Sequence, residues 1–360
     1  MIASSNNLLI FILALSFLLF THELGHFLVG RLFKIKAEEF GFGYPPKLVK
    51  LFTWKGTDFT LNWIPFGAFV RFKGEEDPNV EGGFFHADKW ARFWTILAGP
   101  ATSILVGILL FSLVISQSGY PITDTIQISG VAPDSPAYQA GIQENDQFIA
   151  INGMAIESME DVSTVVQDNL EESIELELLR DGELVTVSLV PRENPPEGEG
   201  AMGVIMAYPI EKTGFIRSLP LGARLAWDQF ATILRLPGMV MRGEVAGEEL
   251  RPVSPKGLYD VYAQVRESEQ QYEEEQPSLA FLNIAWFFGI ISTALGYSNL
   301  LPIPALDGGR LLFILPEIIL GKRVPPKYEN AIHMTGYVLL LILMAYVLLQ
   351  DFINPIVLPY

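Results

Sequence analysis

Four stretches of the chain are apolar for long enough to cross the roughly 30 Å of a bilayer's hydrocarbon core, at residues 8–33, 93–116, 279–301 and 334–349. The last is the shortest. Between the first two the period changes. Thr57-Asp58-Phe59-Thr60-Leu61-Asn62-Trp63 alternates polar with apolar, Ile64-Pro65-Phe66-Gly67 reads as a turn, and Ala68-Phe69-Val70-Arg71-Phe72 resumes the alternation. This pattern predicts a β-hairpin over 57–73. Its Phe59, Trp63, Phe66, Phe69 and Phe72 suit the lipid boundary. Two roles stay open for it: packing against the helices, or offering an exposed edge to which an unwound substrate strand can add.

From Gly119 the character changes again. Glu144-Asn145-Asp146 followed by Gln147-Phe148-Ile149-Ala150-Ile151-Asn152-Gly153 reads as a turn, a strand and an Asn-Gly hairpin turn. Further strands are predicted at 174–179 and 184–190, joined by Arg180-Asp181-Gly182-Glu183, with a helix at 158–167. Asn194-Pro195-Pro196-Glu197-Gly198-Glu199-Gly200 has the composition of a linker. An amphipathic helix follows at 219–236, then an acidic, solvated helix at 259–275 that ends in Glu273-Glu274-Glu275. The chain thus divides into 1–118, with two spans and the hairpin; 119–193, a small α+β domain; 194–278, linker and amphipathic helices; and 279–360, with two more spans.

The formal charge of −17 belongs to one region, because 28 acidic against 10 basic residues lie between Gly119 and Ser278. Nothing in that balance suits nucleic acid. The chain has no cysteine, which removes disulfides, a cysteine nucleophile and thiolate metal sites. Basic residues in the short connections are Arg31, Lys34 and Lys36 after the first span, Lys89 and Arg92 before the second, and Arg310, Lys322, Arg323 and Lys327 between the third and fourth. By the positive-inside rule both termini and the acidic insert face outward. Residues 1–20 lack the basic start and small-residue cleavage pattern of a secretory signal, so the first span is read as uncleaved.

The first span carries Thr21-His22-Glu23-Leu24-Gly25-His26. At about 100° per residue, His22 and His26 lie on one helix face and can aim a ring nitrogen each at one ion, and zinc suits them. Glu23 falls beside that face, which leaves its carboxylate free to take a proton from water. Ionisable groups at membrane depth are costly and mark function. The third span ends in Ser298-Asn299-Leu300-Leu301-Pro302-Ile303-Pro304-Ala305-Leu306-Asp307-Gly308-Gly309-Arg310. Two prolines and two glycines break the helix there, and such backbone needs shelter from lipid. Asp307 within it is the leading third ligand, ahead of Glu317 and Asp351; His86 and His333 read as interfacial. As a turn residue, Asp307 would instead cap a helix from Leu311.

These motifs resemble the site-2 protease family of zinc intramembrane metalloproteases, most of all its bacterial branch with four spans and a PDZ domain. The resemblance rests on the His-Glu-Leu-Gly-His helix, Gly41-Phe42-Gly43, Gly67-Ala68-Phe69-Val70, Ala98-Gly99-Pro100 opening the second span, the PDZ-like 119–193 region, and the run from Asn299 to Gly309. It implies that His22, His26 and Asp307 bind Zn2+, that Glu23 activates water, and that Asn299, with Gly67, Ala68, Phe69 and Val70, holds unwound substrate. The expected architecture is a polytopic α-helical membrane protein, with four transmembrane helices, a membrane-associated β-hairpin and an inserted α+β PDZ-like domain. Asn145 replaces the glycine usual before the aspartate, a mild change because Asn tolerates the left-handed region. Ser103 stands where many members have Asn, and Ser254-Pro255-Lys256-Gly257 replaces a Gly-Pro; both departures are expected to touch substrate handling more than chemistry.

The expected function is cleavage of transmembrane segments, with the PDZ-like domain filtering substrates. Single-span proteins such as anti-sigma factors or signal-peptide remnants are the expected partners in an inner (plasma) membrane, the PDZ-like domain outside the cytoplasm and the active site near the cytoplasmic side. Two rivals are a membrane-anchored PDZ-like scaffold with a structural or empty metal site, and a metal-ion transporter. Glu23 is superfluous to the first, and the intramembrane carboxylates and repeats of the second are missing from the sequence.

Overall fold

A computed structural model describes residues 2–75, 77, 79–245, 251–273 and 277–356. In chain order its elements are α1 (Ile2–Leu32), β1 (Ala37–Trp54), β2 (Thr57–Phe72), α2 (Lys89–Ser118), β3 (Tyr120–Pro121), β4 (Gln127–Val131), α3 (Pro136–Gln139), β5 (Gln147–Ile151), β6 (Met154–Ala155), α4 (Met159–Asp168), β7 (Ile174–Arg180), β8 (Glu183–Leu189), β9 (Val204–Ala207), β10 (Ile210–Glu211), α5 (Phe215–Met241), α6 (Pro255–Glu273), α7 (Pro277–Asn299), α8 (Asp307–Leu320) and α9 (Pro326–Ile353). They form two compact units, Met1–Ser118 with Gly214–Tyr360, and Gly119–Thr213. Glu274 and Glu275, which close the acidic run, lie outside the described residues.

In the first unit, four helices among the described residues are long and apolar enough to cross a membrane: Asn7–Leu32, Lys89–Ser118, Phe281–Asn299 and Pro326–Ile353. Half of the apolar window of α2 is buried, against 11% for α9, so of these four helices α2 is the most enclosed and α9 the most exposed. Small side chains allow that enclosure. Its Ser103, Gly107 and Ser112 are buried where neighbouring helices approach, and Ser292 on α7 donates to the Ser103 carbonyl at 2.8 Å. In hydrocarbon, such close packing and interhelical hydrogen bonds replace the hydrophobic drive.

The hairpin differs from the expected one. Residues 57–63 and 68–72 do not pair with each other across a turn at 64–67, because Ala37–Trp54 supplies a strand between them. Phe40 is in register with Phe59 on one side and Val70 on the other, and Gly41 with Thr60 and Phe69. The tight turn lies instead at Lys55-Gly56, both at positive φ, where Trp54 meets Thr57. Glycines and the Pro45-Pro46 pair interrupt the alternation of β1 and hide it from a period-2 reading. The hairpin packs on α1 through Phe27, Phe40 and Phe59, with Phe27 and Phe40 ring centres 5.4 Å apart and Phe40 and Phe59 5.6 Å. Its Phe52, Trp54 and Trp63 are exposed. Both a packed and an exposed apolar face are therefore present.

The break after the third span is sheltered, as membrane depth requires. Between α7 and α8 the backbone is non-helical, His333 on α9 accepts the Ala305 N–H at 2.9 Å, and α9 crosses closely over Pro304 at Gly336. Asp307 is the first residue of α8 rather than a cap for a helix from Leu311. At the far end of α9, the fully buried Asp351 accepts hydrogen bonds from the Ser254 N–H at 2.9 Å and the Ser254 hydroxyl at 2.5 Å, beside the start of α6. Ser254, one of the two departures from the family pattern, thus anchors a helix.

The second unit is built on a sheet in the order β8-β7-β5-β4-β9, with β6 paired to β5. Its core holds Ile128, Phe148, Ile151, Val162, Ile174, Leu176 and Leu178. Asn152-Gly153 and Asp181-Gly182 take the positive φ values that tight hairpins demand, Asn145 does so at +76°, and Ser158 with Asp161 closes a capping box on α4. The unit does not stop at residue 193. After the 194–200 segment the chain returns as β9, pairing Ile128 with Met206 and Val131 with Val204, so residues 194–213 belong to this unit and not to a linker. A four-residue strand behind a Pro/Gly run has too short a period to be read in advance.

The fully buried Asp146 receives Arg180 in a two-pronged contact, with Nε on Oδ1 and Nη2 on Oδ2, both at 2.7 Å, and the Gln143 N–H at 2.9 Å. Burial raises its carboxyl pKa, but Arg180 and the Gln143 amide outweigh it and hold the group below the usual carboxylate range. A pKa lowered on folding stabilises above the unfolded value of about 4, and that contribution is lost as pH falls through the folded value. Arg180→Ala is expected to destabilise this unit by about 3 kcal/mol at pH 7 and by much less at low pH, measured by hydrogen exchange of β5 and β7 in the full chain. An equal loss at both pH values contradicts the assignment.

Candidate metal centre

One helical turn separates His22 from His26 on α1, and both are buried. Their rings meet edge to face with centres 4.9 Å apart, and Asp307 enters from the start of α8. His22 Nε2 and His26 Nε2 are 3.2 Å apart, and Asp307 Oδ2 lies 3.1 Å from the first and 3.3 Å from the second. Among the described residues these three form the one cluster of His, Asp or Glu with ligand atoms gathered around a point.

The far side of each ring decides what that cluster can hold. The Thr95 carbonyl lies 2.8 Å from His26 Nδ1 and can only accept, so Nδ1 carries the proton and Nε2 presents a bare lone pair. Ser103 Oγ sits 2.9 Å from His22 Nδ1 and holds that ring in place, though a hydroxyl, which donates as readily as it accepts, leaves the tautomer open. With a metal bound, His22 Nε2, His26 Nε2 and Asp307 Oδ2 would each offer a lone pair to one cation. A tetrahedral ion with bonds of about 2.0–2.1 Å holds its ligands about 3.3–3.4 Å apart, close to the separations here. Two imidazoles and one carboxylate fit zinc, and the backbone carbonyl behind His26 is the kind of outer partner that orients such ligands.

Room for this convergence comes from two close approaches. At Gly25 an added Cβ would run into the Ala98 carbonyl and the Thr102 hydroxyl, so α1 and α2 touch there backbone to backbone. At Gly99 it would strike the His26 ring itself.

Glu23, His22, His26, Ala68, Phe69, Val70, Asn299 and Asp307 line one cavity of about 380 Å³, with Glu75 and Arg310 on its wall. Glu23 Oε2 accepts the Val70 N–H at 3.1 Å, which fixes the carboxylate between the histidines and the edge of β2. The Asn299 amide donates to the Leu295 carbonyl at 2.9 Å. Gly67 stays outside the cavity, its N–H 3.4 Å from Ser16 Oγ. The weaker ligand candidates are engaged elsewhere: Glu317 with Arg92 at 2.5 Å and Asp351 with Ser254, while His333 accepts the Ala305 amide and His86 is exposed.

Four residues of this site were not singled out for it from sequence. Thr95 acts through its carbonyl, which no side-chain pattern reveals. Ser103, a departure from the family pattern expected to touch substrate handling, lies 2.9 Å from His22 Nδ1. Glu75 and Arg310 meet as an ion pair across 235 positions. Burial would lower the Arg310 pKa, but Glu75 and then Asp307 hold it raised, so the cation persists.

Replacing Gly99 by Ala is expected to push His26 off its position and lower zinc affinity by about 10- to 100-fold, read by competition with a chelator. Unchanged affinity contradicts the close approach described above.

The family model for Peptidase family M50 matches residues 10–343. A relative from Clostridium acetobutylicum is 30% identical over 352 residues, covering 97% of this chain and 98% of its own. One from Bartonella henselae is 29% identical over 365 residues, covering 93% and 98%. Both are designated "putative zinc metalloprotease". Among solved structures, the PDZ domain of an SdrC-like protein from Listeria monocytogenes is similar over 23% of this chain and 87% of its own, at 14% identity and a TM-score of 0.21. With a His-Glu-x-x-His helix and a distant aspartate meeting at one point, and the family match running through both, the chain belongs to Peptidase family M50, the zinc metalloproteases of the site-2 type.

Proposed function

We propose that this metalloprotease hydrolyses peptide bonds of single-span membrane proteins, within or beside the bilayer. The observation that carries the reading is the shared cavity: three converging His and Asp atoms, the Glu23 carboxylate and the edge of β2 that faces away from β1 border one space beside helices of membrane-crossing length. Zinc bound there supplies Lewis acidity and a water acidic enough to react near neutral pH. Glu23 accepts the proton of the attacking water and returns it to the amine nitrogen as the C–N bond breaks. The Val70 N–H holds Glu23 in the rotamer that faces the cavity.

A substrate helix hides its amides, so it unwinds before cleavage. Val70 and Phe72 turn their N–H groups away from β1, to Glu23 at 3.1 Å and Glu75 at 3.0 Å, and that edge is where an extended substrate adds as a further strand. Asn299 stands across the same cavity and holds the unwound segment. By the charge of the short connections, the cavity opens toward the cytoplasm and the Gly119–Thr213 unit lies outside, in an inner (plasma) membrane crossed four times. That unit, PDZ-like in its sequence motifs, acts as a filter that excludes substrates whose outer domain is still large. Anti-sigma factors and signal-peptide remnants are substrates of the required shape.

Glu23→Gln is expected to bind zinc as the parent does and to lower kcat by about 10²- to 10⁴-fold. Parent-like cleavage by a zinc-loaded Glu23→Gln protein rules out the mechanism. One anchor carrying progressively shorter outer domains is expected to be cut faster as the domain shrinks, and rates independent of length remove the filter.

A further inference from the structure

The open edge of β2 is already occupied. Phe72 N–H donates to Glu75 Oε2 at 3.0 Å, and the Phe72 carbonyl accepts the Glu75 N–H at 3.2 Å. Those are the two main-chain groups of Phe72 that a directly opposed residue would engage in an antiparallel pair; here the Glu75 side chain takes the N–H and the Glu75 amide takes the carbonyl as a turn bond. Glu75 thus occupies both groups that an added strand would engage. Two residues back, Glu23 takes the Val70 N–H in the same way. Unpaired backbone donors at membrane depth are costly, so an edge kept ready for substrate needs such a cover while it waits.

Glu75 is held from behind. Its other carboxylate oxygen pairs with Arg310, one helical turn beyond Asp307 on α8. The pair stands between two spaces. The metal cavity and a neighbouring cavity of about 560 Å³ share Glu75, Phe84, Ile96, Ala305 and Arg310 as walls. The neighbouring cavity gives a displaced carboxylate room; Arg92 on its wall is already paired with Glu317.

We propose that Glu75 is an internal stand-in for the substrate strand: it caps the Phe72 edge in the resting enzyme under the hold of Arg310, and it must yield that position before substrate can pair. The proposal rests on the strand-addition reading above. Glu75 is here a gating residue that touches neither water nor the scissile bond, so its removal changes substrate entry and not the chemical step.

The test uses the full-length, zinc-loaded protein in detergent and a synthetic single-span peptide with a fluorescent reporter. Glu75→Ala is expected to lower KM about tenfold with kcat within about twofold of the parent, and Glu75→Gln, which keeps an acceptor but loses the charge, to lower it about threefold. Without peptide, the Phe72 amide is expected to exchange with deuterium about tenfold faster in Glu75→Ala than in the parent. A purely structural role for Glu75 predicts an unchanged or raised KM, and that result overturns the proposal, as does an unchanged Phe72 exchange rate. A series of the same peptide with single backbone N-methyl groups separates the two ideas. If no position raises the parent's KM, strand addition fails and the latch with it. If some positions do and both Glu75 variants leave KM unchanged, only the latch is wrong.

Discussion

Two imidazole nitrogens and a carboxylate oxygen, the ligand atoms a divalent cation prefers, stand 3.1 to 3.3 Å from one another. In a buried, low-dielectric setting a divalent cation at their common centre would be attracted strongly by all three. The rest of the membrane unit serves that convergence. Helix α1 brings two of the atoms, the start of α8 brings the third, and α2 between them supplies the Thr95 carbonyl that sets the His26 tautomer and the Ser103 hydroxyl that holds the His22 ring. The backbone contact at Gly25 and the space at Gly99 make α2 close enough to do so.

The same wall of the cavity joins chemistry to substrate geometry. Glu23 lines the histidine cluster's cavity on one side and accepts the Val70 N–H on the other, so the carboxylate proposed to move the proton and the edge proposed to receive substrate are joined by one hydrogen bond. The hairpin is held on α1 by the aromatic packing of Phe27, Phe40 and Phe59. Shelter for the broken segment before Asp307 comes from α9, the most exposed of the four long apolar helices.

What sequence could disclose followed the range of the interaction. His22 and His26 are legible because helical spacing alone puts them together, and Asp307 because prolines and glycines at membrane depth single out its segment. The Asn152-Gly153 and Asp181-Gly182 turns are local chemistry and were likewise readable. The strand order of the hairpin was not, since Gly41, Gly43 and Pro45-Pro46 break the alternation of β1 and its pairing with both halves of β2 is a tertiary choice. Strand β9 was missed because four residues beyond a Pro/Gly run carry no period of their own. The meanings of Ser103, Glu75 and Arg310 are set by partners 81 and 235 positions away. No window along the chain contains that information.

Zinc-edge anomalous diffraction from crystals of the zinc-loaded, full-length protein tests the central claim most directly. The account predicts a single intramolecular peak in contact with His22 Nε2, His26 Nε2 and an Asp307 oxygen. A folded, zinc-loaded molecule with its peak elsewhere, or with the Asp307 carboxylate turned away from both imidazoles, contradicts it.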